Sequence, residues 1–476
     1  MVLDRKGDVR QLHLGGIPLA IPNAPWGVPL IGHGAQLWFT PLEFFTGLNR
    51  LGPVVRFRTG VRPWYMITEP ELLHRMLVTG SRDVVKGRFT DTAGPQIGVS
   101  LVLDMDFPGL TPFASHRRHR RAVQPAFHPH RLAGQVGFTV RATEEWLAGR
   151  RPGARLRLDR ELSGLAARIT AHAFCGEPVE DVAAAVADVQ AHLVPGLYWR
   201  TVAPLWTRHV PVPGTGGFVR ARARLRTALA AALRERRRWP GRDDGDILSA
   251  LVRCRYADGE GLDDAQILRE MFFYVIAGAH GVGDVLPWVF HELAAHPEEE
   301  RRLHREIDSV LAGRRMTAAD LPELVHTRRI VLEALRRYPP VWLLGRRTLT
   351  EVDLGGIRLP AGTDLAWAPY AAHHHPAHHA DPLRFDPGRW RPERARILAP
   401  CAYLPFGAGP RRCIGDRLSM NQMLTAVATI AARWRLRRVP GPEVRPSARI
   451  FLHPRAMPMV AEPRPRLSPP ATAPVR

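Results

Sequence analysis

The chain has little cysteine, almost no lysine and no long uninterrupted apolar run. No stretch reaches about 18 consecutive apolar residues, so the sequence predicts no transmembrane helix. The N-terminus lacks the basic-then-apolar order of a signal peptide. The four cysteines show no C-x-x-C spacing, which argues against a disulfide framework and is typical of a reducing compartment. We therefore expect a cytoplasmic protein that does not bind membranes.

Basic residues outnumber acidic ones, so the formal net charge is +22. Lys6 and Lys86 are the only lysines, and this bias toward arginine is typical of a GC-rich genome such as an actinomycete's. A basic chain can indicate nucleic-acid binding. Here the arginines are spread along helical patterns without an aromatic-rich binding motif, so we expect no nucleic-acid partner. A basic face that steers an acidic electron-transfer protein is the better interpretation.

Helical patterns dominate the sequence, and strand signals are few and short. Residues 54–58 and 64–67 predict a hairpin around Gly60, and residues 352–359 predict a second one. Asp263 and Gln266 have the spacing of a capping box, and apolar residues then recur at helical spacing. The sequence therefore predicts a mainly α fold with a small β part and a long helix through its middle.

No linker or internal repeat divides the 476 residues. We therefore expect one large domain over residues 17–456. A polar tail, residues 1–16, would precede it. A tail rich in proline and arginine, residues 457–476, would follow and be disordered.

Residues 406–415, Phe-Gly-Ala-Gly-Pro-Arg-Arg-Cys-Ile-Gly, have the composition of a socket for a thiolate ligand to haem iron. Its glycines permit a tight turn, Phe406 can shield the sulfur, and Arg411 offers a cation to a haem carboxylate. A helical pattern starts just after Cys413, and a helix N-terminus favours thiolate over thiol. The alternative is a buried structural cysteine beside a glycine-rich turn, but the complete pattern favours the ligand.

The pattern Phe-x-x-Gly-x-Arg-x-Cys-x-Gly resembles the signature of the cytochrome P450 family, and other family landmarks follow in order from about Pro22 to Arg437. The resemblance implies a single haem-containing domain with the triangular haem-thiolate fold and haem b as cofactor. Cys413 would be the axial iron ligand, with Phe406 and Gly415 completing its loop. No flavin or iron–sulfur module is fused to the chain, so electrons would come from a ferredoxin and a ferredoxin reductase. We expect a monomer.

The resemblance also implies a buried ion cluster that fixes the Cys413 loop. Glu333 and Arg336 match the Glu-x-x-Arg pair of the family, and Arg389 matches the arginine of its Phe-x-Pro-x-Arg-Trp pattern. In isolation, Glu-x-x-Arg would be a surface pair of little energetic value. Apolar neighbours indicate burial, and a carboxylate buried between two arginines holds only if its hydrogen bonds are complete.

Four further residues match family positions that contact the haem carboxylates. His116 and Arg120 lie four apart on one helical pattern, Arg346 follows the helix of Glu333, and Arg411 completes the set. For the arginines next to His116 a solvated basic helix is the simpler interpretation. The histidines at 373–375, 378 and 379 suggest a metal site, but the family register favours polar loop residues.

One departure from the family bears on chemistry. The central helix of the family carries Ala-Gly-x-(Asp/Glu)-Thr, and here residues 277–282 read Ala-Gly-Ala-His-Gly-Val. His280 thus stands in place of the acid and Gly281 in place of the alcohol. His280 can carry protons near neutral pH, whereas Gly281 has no side chain. The neighbouring glycines predict a bulge, and Pro287 predicts a kink.

Three functional hypotheses follow. The first is a monooxygenase of secondary metabolism, such as antibiotic biosynthesis, in which a substrate hydroxyl or an ordered water replaces the missing threonine. The second is a haem-thiolate enzyme that performs nitrene-type or group transfer, rearrangement, dehydration or peroxide-driven chemistry. The third is a non-catalytic haem sensor or carrier.

The substrate would be an apolar small molecule, for example an aromatic or terpenoid natural product. By resemblance it would contact the following residues: Ala277, His280, Gly281, Trp342 and Leu343. The segments around residues 99–113 and 193–205 would form other walls of its pocket.

Overall fold

The computed structural model describes residues 21–87, 109–193, 214–239 and 243–465, together with Phe107, Gly241 and two short strands near the N-terminus. Helices make up most of these residues, as expected. In chain order they are α1 (Gly34–Phe39), α2 (Pro41–Leu48), α3 (Pro70–His74), α4 (Pro112–Val123), α5 (Pro129–Ala133), α6 (Gln135–Ala148), α7 (Leu158–Cys175), α8 (Glu180–Leu193), α9 (Thr215–Arg238), α10 (Ile247–Arg253), α11 (Asp264–Gly283), α12 (Leu286–Ala295), α13 (Pro297–Leu311), α14 (Val325–Arg337), α15 (Pro369–His373), α16 (Pro392–Ala395) and α17 (Asp416–Ala431). A π-helix, Arg75–Thr79, continues α3.

The β part is smaller. Its strands are β1 (His13–Leu14), β2 (Ile17–Pro18), β3 (Val54–Thr59), β4 (Arg62–Ile67), β5 (Val84–Lys86), β6 (Arg155–Arg157), β7 (Leu344–Thr348), β8 (Val352–Leu354), β9 (Ile357–Leu359), β10 (Asp364–Trp367), β11 (Trp434–Arg438), β12 (Pro446–Ala448), β13 (Leu452–Pro454) and β14 (Pro458–Pro463). A five-stranded sheet has the order β3-β4-β10-β7-β5, and a three-stranded sheet has the order β11-β14-β6. Strands β3 and β4 form the hairpin predicted around Gly60, and β8 and β9 form the second predicted hairpin.

The central helix α11 begins as its sequence predicts. The Gln266 N–H donates to the Asp263 carboxylate at 2.6 Å, and the Asp263 N–H donates to the Gln266 side-chain oxygen at 2.9 Å. Side chains on several faces of the helix are buried. The stretch Asp264–Ala295 is long and apolar enough to cross a membrane, but 78% of its most apolar window is buried inside the protein. Such burial is typical of a helix in the core of a protein. The sequence also predicted no transmembrane segment.

Of the two interruptions that the sequence predicted in the central helix, the structure has the one next to Pro287 and not the one at the glycines. The helix stays regular through His280 to Gly283, so the bulge expected from the glycines is absent from this described segment. The chain turns at Asp284 and Val285 instead, before α12. Pro287, in the first turn of α12, has no N–H to continue the hydrogen-bond ladder, which explains a break at this point.

The C-terminal boundary of the domain was predicted wrongly. Strand β14, Pro458–Pro463, lies in the tail expected to be disordered and pairs with both β11 and β6. Its Met459 and Ala461 are buried and alternate with accessible residues, the pattern of a half-buried strand. The high proline content of the segment obscured this alternation. Near the other end, the pair β1–β2 spans the expected boundary at residue 17.

Candidate functional site

Two glycines shape the loop that ends at Cys413. Gly407 and Gly409 both have φ of +70°, a left-handed conformation that favours glycine. A Cβ atom at Gly409 would also overlap the carbonyl oxygen of Leu77 in the π-helix. The Cys413 N–H donates to the Phe406 carbonyl at 2.8 Å. The loop therefore closes on itself against the π-helix and presents Cys413 directly before α17.

The Cys413 thiol is accessible, although it lies in a densely packed part of the protein. Burial raises the pKa of this thiol, and the Gly415 N–H and the charges of Arg120 and Arg412 act in the opposite direction. Gly415, at φ −94°, does not turn the chain as expected but is the N-cap of α17. A helix N-terminus and a backbone N–H directed at an accessible sulfur suit a thiolate ligand, because metal coordination removes the thiol proton.

Helix α4 is fastened to the Cys413 loop by two hydrogen bonds. Arg120 Nη1 donates to the Arg412 carbonyl at 2.6 Å, and His116 Nε2 lies 3.2 Å from the Pro410 carbonyl. Because a carbonyl only accepts, His116 carries its proton on Nε2, so its Nδ1 is an acceptor in the neutral ring. In this arrangement His116 positions the loop and does not donate to a carboxylate. Its contact with a haem carboxylate therefore stays a prediction.

A cluster of positive charge surrounds His116. Burial and the charges of Arg411, Lys86 and Arg120 lower the pKa of His116 from 6.5 to about 3. Lys86 lies directly opposite Arg346 across the β5–β7 strand pair. Sequence reasoning named the three arginines but missed Lys86, since only the sheet register brings it to the cluster.

Two further arginines that were expected to bind haem carboxylates lie outside α4. They also make contacts within the protein. The Arg346 guanidinium lies 4.8 Å from the centre of the Trp367 ring and donates to the Gly345 carbonyl at 2.8 Å. Arg411 Nη1 donates to the Ser81 carbonyl at 3.2 Å, just beyond the π-helix. The accessible thiol and the cation cluster beside its loop fit a flat, dianionic haem ligated through sulfur.

The ion cluster predicted from Glu333 is present and buried. Arg336 donates to both Glu333 oxygens at 2.8 and 2.9 Å, and Arg389 Nε donates to one of them at 3.3 Å. The Trp390 indole and the Asp386 backbone N–H also donate to Glu333, at 3.0 and 3.1 Å. Both Glu333 and Arg336 have no exposed surface. Every oxygen of the carboxylate is thus satisfied, as a buried charge requires.

Two of the histidines suspected of binding metal contact the segment that leads into the Cys413 loop, and one of them, His373, also contacts the Glu333 cluster. His373 Nε2 accepts from the Leu404 N–H at 2.8 Å, and its carbonyl accepts from Arg336 at 2.8 Å. His379 Nε2 lies 3.0 Å from the Ala402 carbonyl. These contacts support the interpretation of both histidines as polar residues that shape the approach to the loop.

Two other histidines of the group lie near a carboxylate. Glu69, His375 and His378 have potential ligand atoms within 4.8 Å of one another. The His375 Nδ1 accepts from the Ala377 N–H at 3.1 Å, and the ring is also hydrogen-bonded to the Asn49 backbone. The backbone thus engages the His375 ring at two points, so the polar-loop interpretation is favoured here too.

The central helix α11 has one partly accessible stripe. Phe273, Ala277 and Gly281 lie one turn apart and are partly accessible, although most of the helix is buried. A Cβ atom at Gly281 would meet no atom within 4 Å. By contrast, a Cβ at Gly278 or Gly283 would press on α7. The stripe is therefore the part of the helix that a bound molecule can touch.

His280 lies beside this stripe and is held by two residues that sequence reasoning missed. Its Nδ1 lies 3.0 Å from the Asp284 carboxylate, one helical turn further on. Its ring stacks on Phe451 with centroids 4.3 Å apart and an interplanar angle of 18°. The i,i+4 spacing of His280 and Asp284 was visible in the sequence, whereas Phe451 is far away along the chain, between β12 and β13.

The two residues predicted for the pocket wall differ in accessibility. Trp342 is buried; its indole donates to the Arg449 carbonyl at 2.8 Å and its ring packs near Phe45, so it belongs to the core. Its polar atom and its ring both have partners within the fold, so its contact with a substrate stays a prediction. Leu343 is partly accessible. The other expected walls, around residues 99–113 and 193–205, lie mostly outside the described residues.

Comparison with known proteins agrees with this architecture. The family model described as Cytochrome P450 matches residues 176–457. The cyclooctat-9-en-7-ol 5-monooxygenase of Streptomyces melanosporofaciens is 40% identical over 453 residues, which cover 94% of this chain and 96% of that protein. The pentalenene oxygenase of Streptomyces avermitilis is 36% identical, over 91% of this chain and 96% of that protein.

Solved structures share the fold at lower identity. The cytochrome P450DA heme domain superposes with a TM-score of 0.81 at 21% identity, covering 94% of this chain and 98% of that one. The retinoic acid-bound cyanobacterial CYP120A1 gives a TM-score of 0.82 at 19% identity, covering 93% and 99% of the two chains. The extent of these matches, together with the Cys413 loop and the Glu333 cluster, shows that the chain belongs to the cytochrome P450 family and is a haem-thiolate oxidoreductase with haem b as its cofactor.

Proposed function

We propose that the chain is a monooxygenase that hydroxylates a cyclic terpenoid in bacterial secondary metabolism. The observation that carries the proposal is its 40% identity, over nearly the whole length of both chains, to an enzyme whose name, cyclooctat-9-en-7-ol 5-monooxygenase, states an alcohol as substrate and monooxygenation as reaction. The close relatives of the chain are bacterial P450 monooxygenases that modify terpenes. The accessible stripe of α11, formed by Phe273, Ala277 and Gly281, supports an apolar substrate.

Each group of residues would have a separate role in this reaction. Cys413 would ligate the iron, and the cations around His116 would pair with the haem carboxylates. When bound, haem supplies the redox chemistry, and a thiolate ligand favours oxygen–oxygen cleavage. His280 would carry protons, and the space beside Gly281 would hold a substrate hydroxyl or a water in place of the missing threonine.

Electrons would come from a separate acidic ferredoxin and its reductase. Arg117 and Arg121 on α4, and Arg412 and Arg417 around Cys413, are exposed on the elements that hold the thiolate loop. Positive charge at this face would attract an acidic protein and raise its rate of association. Such a soluble electron-transfer chain is consistent with a cytoplasmic enzyme that acts as a monomer.

A second candidate function has a specific observation in its favour. Gly281 cannot supply the hydroxyl that the family uses for proton delivery to dioxygen. A haem-thiolate enzyme without this group would suit group transfer, rearrangement, dehydration or the use of peroxide, none of which requires that delivery.

Reconstitution with isotopically labelled dioxygen tests both candidates. The purified enzyme, a ferredoxin, a ferredoxin reductase and NADPH would be incubated with polycyclic terpenoid alcohols under ¹⁸O₂. We expect one ¹⁸O atom in the product and NADPH consumption that matches product formation. A product without ¹⁸O, formed equally well without reductase, would refute the monooxygenase and favour the second candidate.

A further inference from the structure

The His280–Asp284 pair is unusual in its burial. Both side chains are about 9% exposed, and the His280 Nδ1 lies 3.0 Å from Asp284 Oδ2. A pair at i,i+4 on an exposed helix contributes little to stability. A carboxylate buried beside a single imidazole, in contrast, strongly restricts the orientation and the protonation of that imidazole.

The pair fixes which nitrogen of His280 carries the proton. An ionised carboxylate only accepts hydrogen bonds, so Nδ1 must be the protonated nitrogen and Nε2 must be the acceptor in the neutral ring. The Nε2 atom is buried and has no hydrogen-bond partner among the residues that the structure describes. Buried polar atoms are rarely left without a partner, so an orphaned Nε2 points to a water or a bound molecule.

The orientation of the His280 ring is also fixed. Phe451 stacks on its face, and the backbone of α11 is fixed at this turn because the Asp284 N–H donates to the His280 carbonyl at 3.0 Å. Gly281, the next residue, leaves open space where a larger side chain would stand. His280 is therefore the direct neighbour of a helix position at which a water or a substrate hydroxyl can lie.

We propose that Asp284 is a positioning residue that holds His280 in one tautomer, so that Nε2 serves as the proton carrier of the enzyme. Position 280 carries no carboxylate in this chain, and Asp284 supplies one from the next turn of the helix. This inference rests on the proposed monooxygenase function.

The proton balance of the step is simple. Nε2 accepts one proton from a solvent water, which leaves hydroxide to the bulk, and the ring becomes an imidazolium beside the Asp284 carboxylate. When Nε2 donates this proton to the water or substrate hydroxyl beside Gly281, that group passes one of its own protons on to the oxygen substrate, and the ring returns to its neutral tautomer. Asp284 gains and loses no proton, and no electron moves.

The chain offers a matched control. Asp188 and His192 form another i,i+4 pair, with 3.1 Å between the carboxylate and Nδ1, on α8. Their side chains are 25% and 40% exposed, so the pair has the same spacing without the burial. Asp188→Leu therefore controls for the removal of an i,i+4 carboxylate away from the site, although it also removes the 3.1 Å ion pair of Asp188 with Arg224.

Nitrogen-15 NMR of the haem-loaded, reduced and CO-bound protein, labelled at histidine, tests the tautomer without any substrate. The His280 signals would be assigned by their loss in His280→Gln. We expect a protonated Nδ1 and an unprotonated Nε2 in the wild type and in Asp284→Asn, which keeps an acceptor oxygen. Asp284→Leu should shift the ring to a mixture of tautomers. A protonated Nε2 in the wild type, or an unchanged ring in Asp284→Leu, would overturn the proposal.

Coupling of NADPH consumption to hydroxylated product tests the catalytic role. We expect the ratio of product to hydrogen peroxide to fall on the order of tenfold or more in Asp284→Leu and in His280→Gln, with a smaller fall in Asp284→Asn and none in Asp188→Leu. Equal ratios in the wild type and Asp284→Leu would overturn the inference while the monooxygenase function stands. If no terpenoid is hydroxylated by the wild type, that function fails, and the NMR result alone decides the role of Asp284.

Discussion

Restoring a hydroxyl with Gly281→Thr should raise the coupling of the enzyme for substrates that lack a hydroxyl of their own. In the proposed function, a substrate hydroxyl or a water occupies the space beside Gly281. A terpenoid alcohol would therefore be hydroxylated with good coupling by the wild type, and its deoxy analogue would release more peroxide. The threonine hydroxyl would replace the missing group for the deoxy analogue.

The structure sets the size of the effect. A Cβ at Gly281 meets no atom within 4 Å, and threonine has a helix propensity about 0.3 kcal/mol better than glycine, so the fold should tolerate the change. One hydrogen bond contributes about 0.5–1.5 kcal/mol. Since 1.4 kcal/mol corresponds to a factor of ten, the ratio of product to peroxide should rise about two- to tenfold.

The assay measures NADPH, peroxide and product for each substrate with the wild type, Gly281→Thr and Gly281→Val. Valine has nearly the shape of threonine but no hydroxyl, so it controls for filling the space. The reasoning would be refuted if Thr and Val changed the ratio equally, or if the wild type coupled both substrates equally well.

Four other substitutions test the supporting structure. Glu333→Gln should destabilise the protein by about 3–5 kcal/mol and speed haem transfer to apomyoglobin, because it leaves the buried Arg336 and Arg389 without their carboxylate; unchanged haem transfer would contradict this role. Gly283→Ala should lower the urea midpoint by an amount equivalent to about 1–3 kcal/mol, since its Cβ would lie 3.1 Å from Ala166 and from the Ser163 backbone. Gly281→Ala, whose Cβ would enter open space, should instead stabilise the protein by up to about 1 kcal/mol. Equal effects of the two alanine substitutions on stability would show that α7 does not press on position 283. Burial lowers the pKa of His379 from 6.5 to about 4. The unfolded chain therefore takes this proton first as the pH falls, and folding free energy is lost between about pH 6.5 and 4; His379→Gln should flatten that part of the stability curve, and an identical curve would exclude the contribution.

Local signals in the sequence predicted the elements whose geometry is local. The capping box of Asp263 and Gln266 and the β3–β4 hairpin are both present, because each depends on residues a few positions apart. The Glu333 cluster was also predicted, but from the family resemblance, since nothing near Glu333 in the chain shows that Arg389 will approach it.

Other features could not be predicted because they depend on distant segments. Phe451 stacks on His280, and the Trp342 indole N–H donates to the Arg449 carbonyl, only because the β12–β13 hairpin returns to the core. Lys86 joins the cation cluster through the register of β5 against β7. The bulge predicted at the glycines is not found, because α7 packs closely against Gly278 and Gly283 and supports the helix there.

The most direct test of the whole account is the absorption spectrum of the reduced, CO-bound protein. We predict the red-shifted Soret band that thiolate ligation gives, and its loss in Cys413→Ala with Cys401→Ala as the matched control. A wild-type spectrum without this band, or a Cys413→Ala protein that keeps it, would contradict the assignment of Cys413 as the iron ligand.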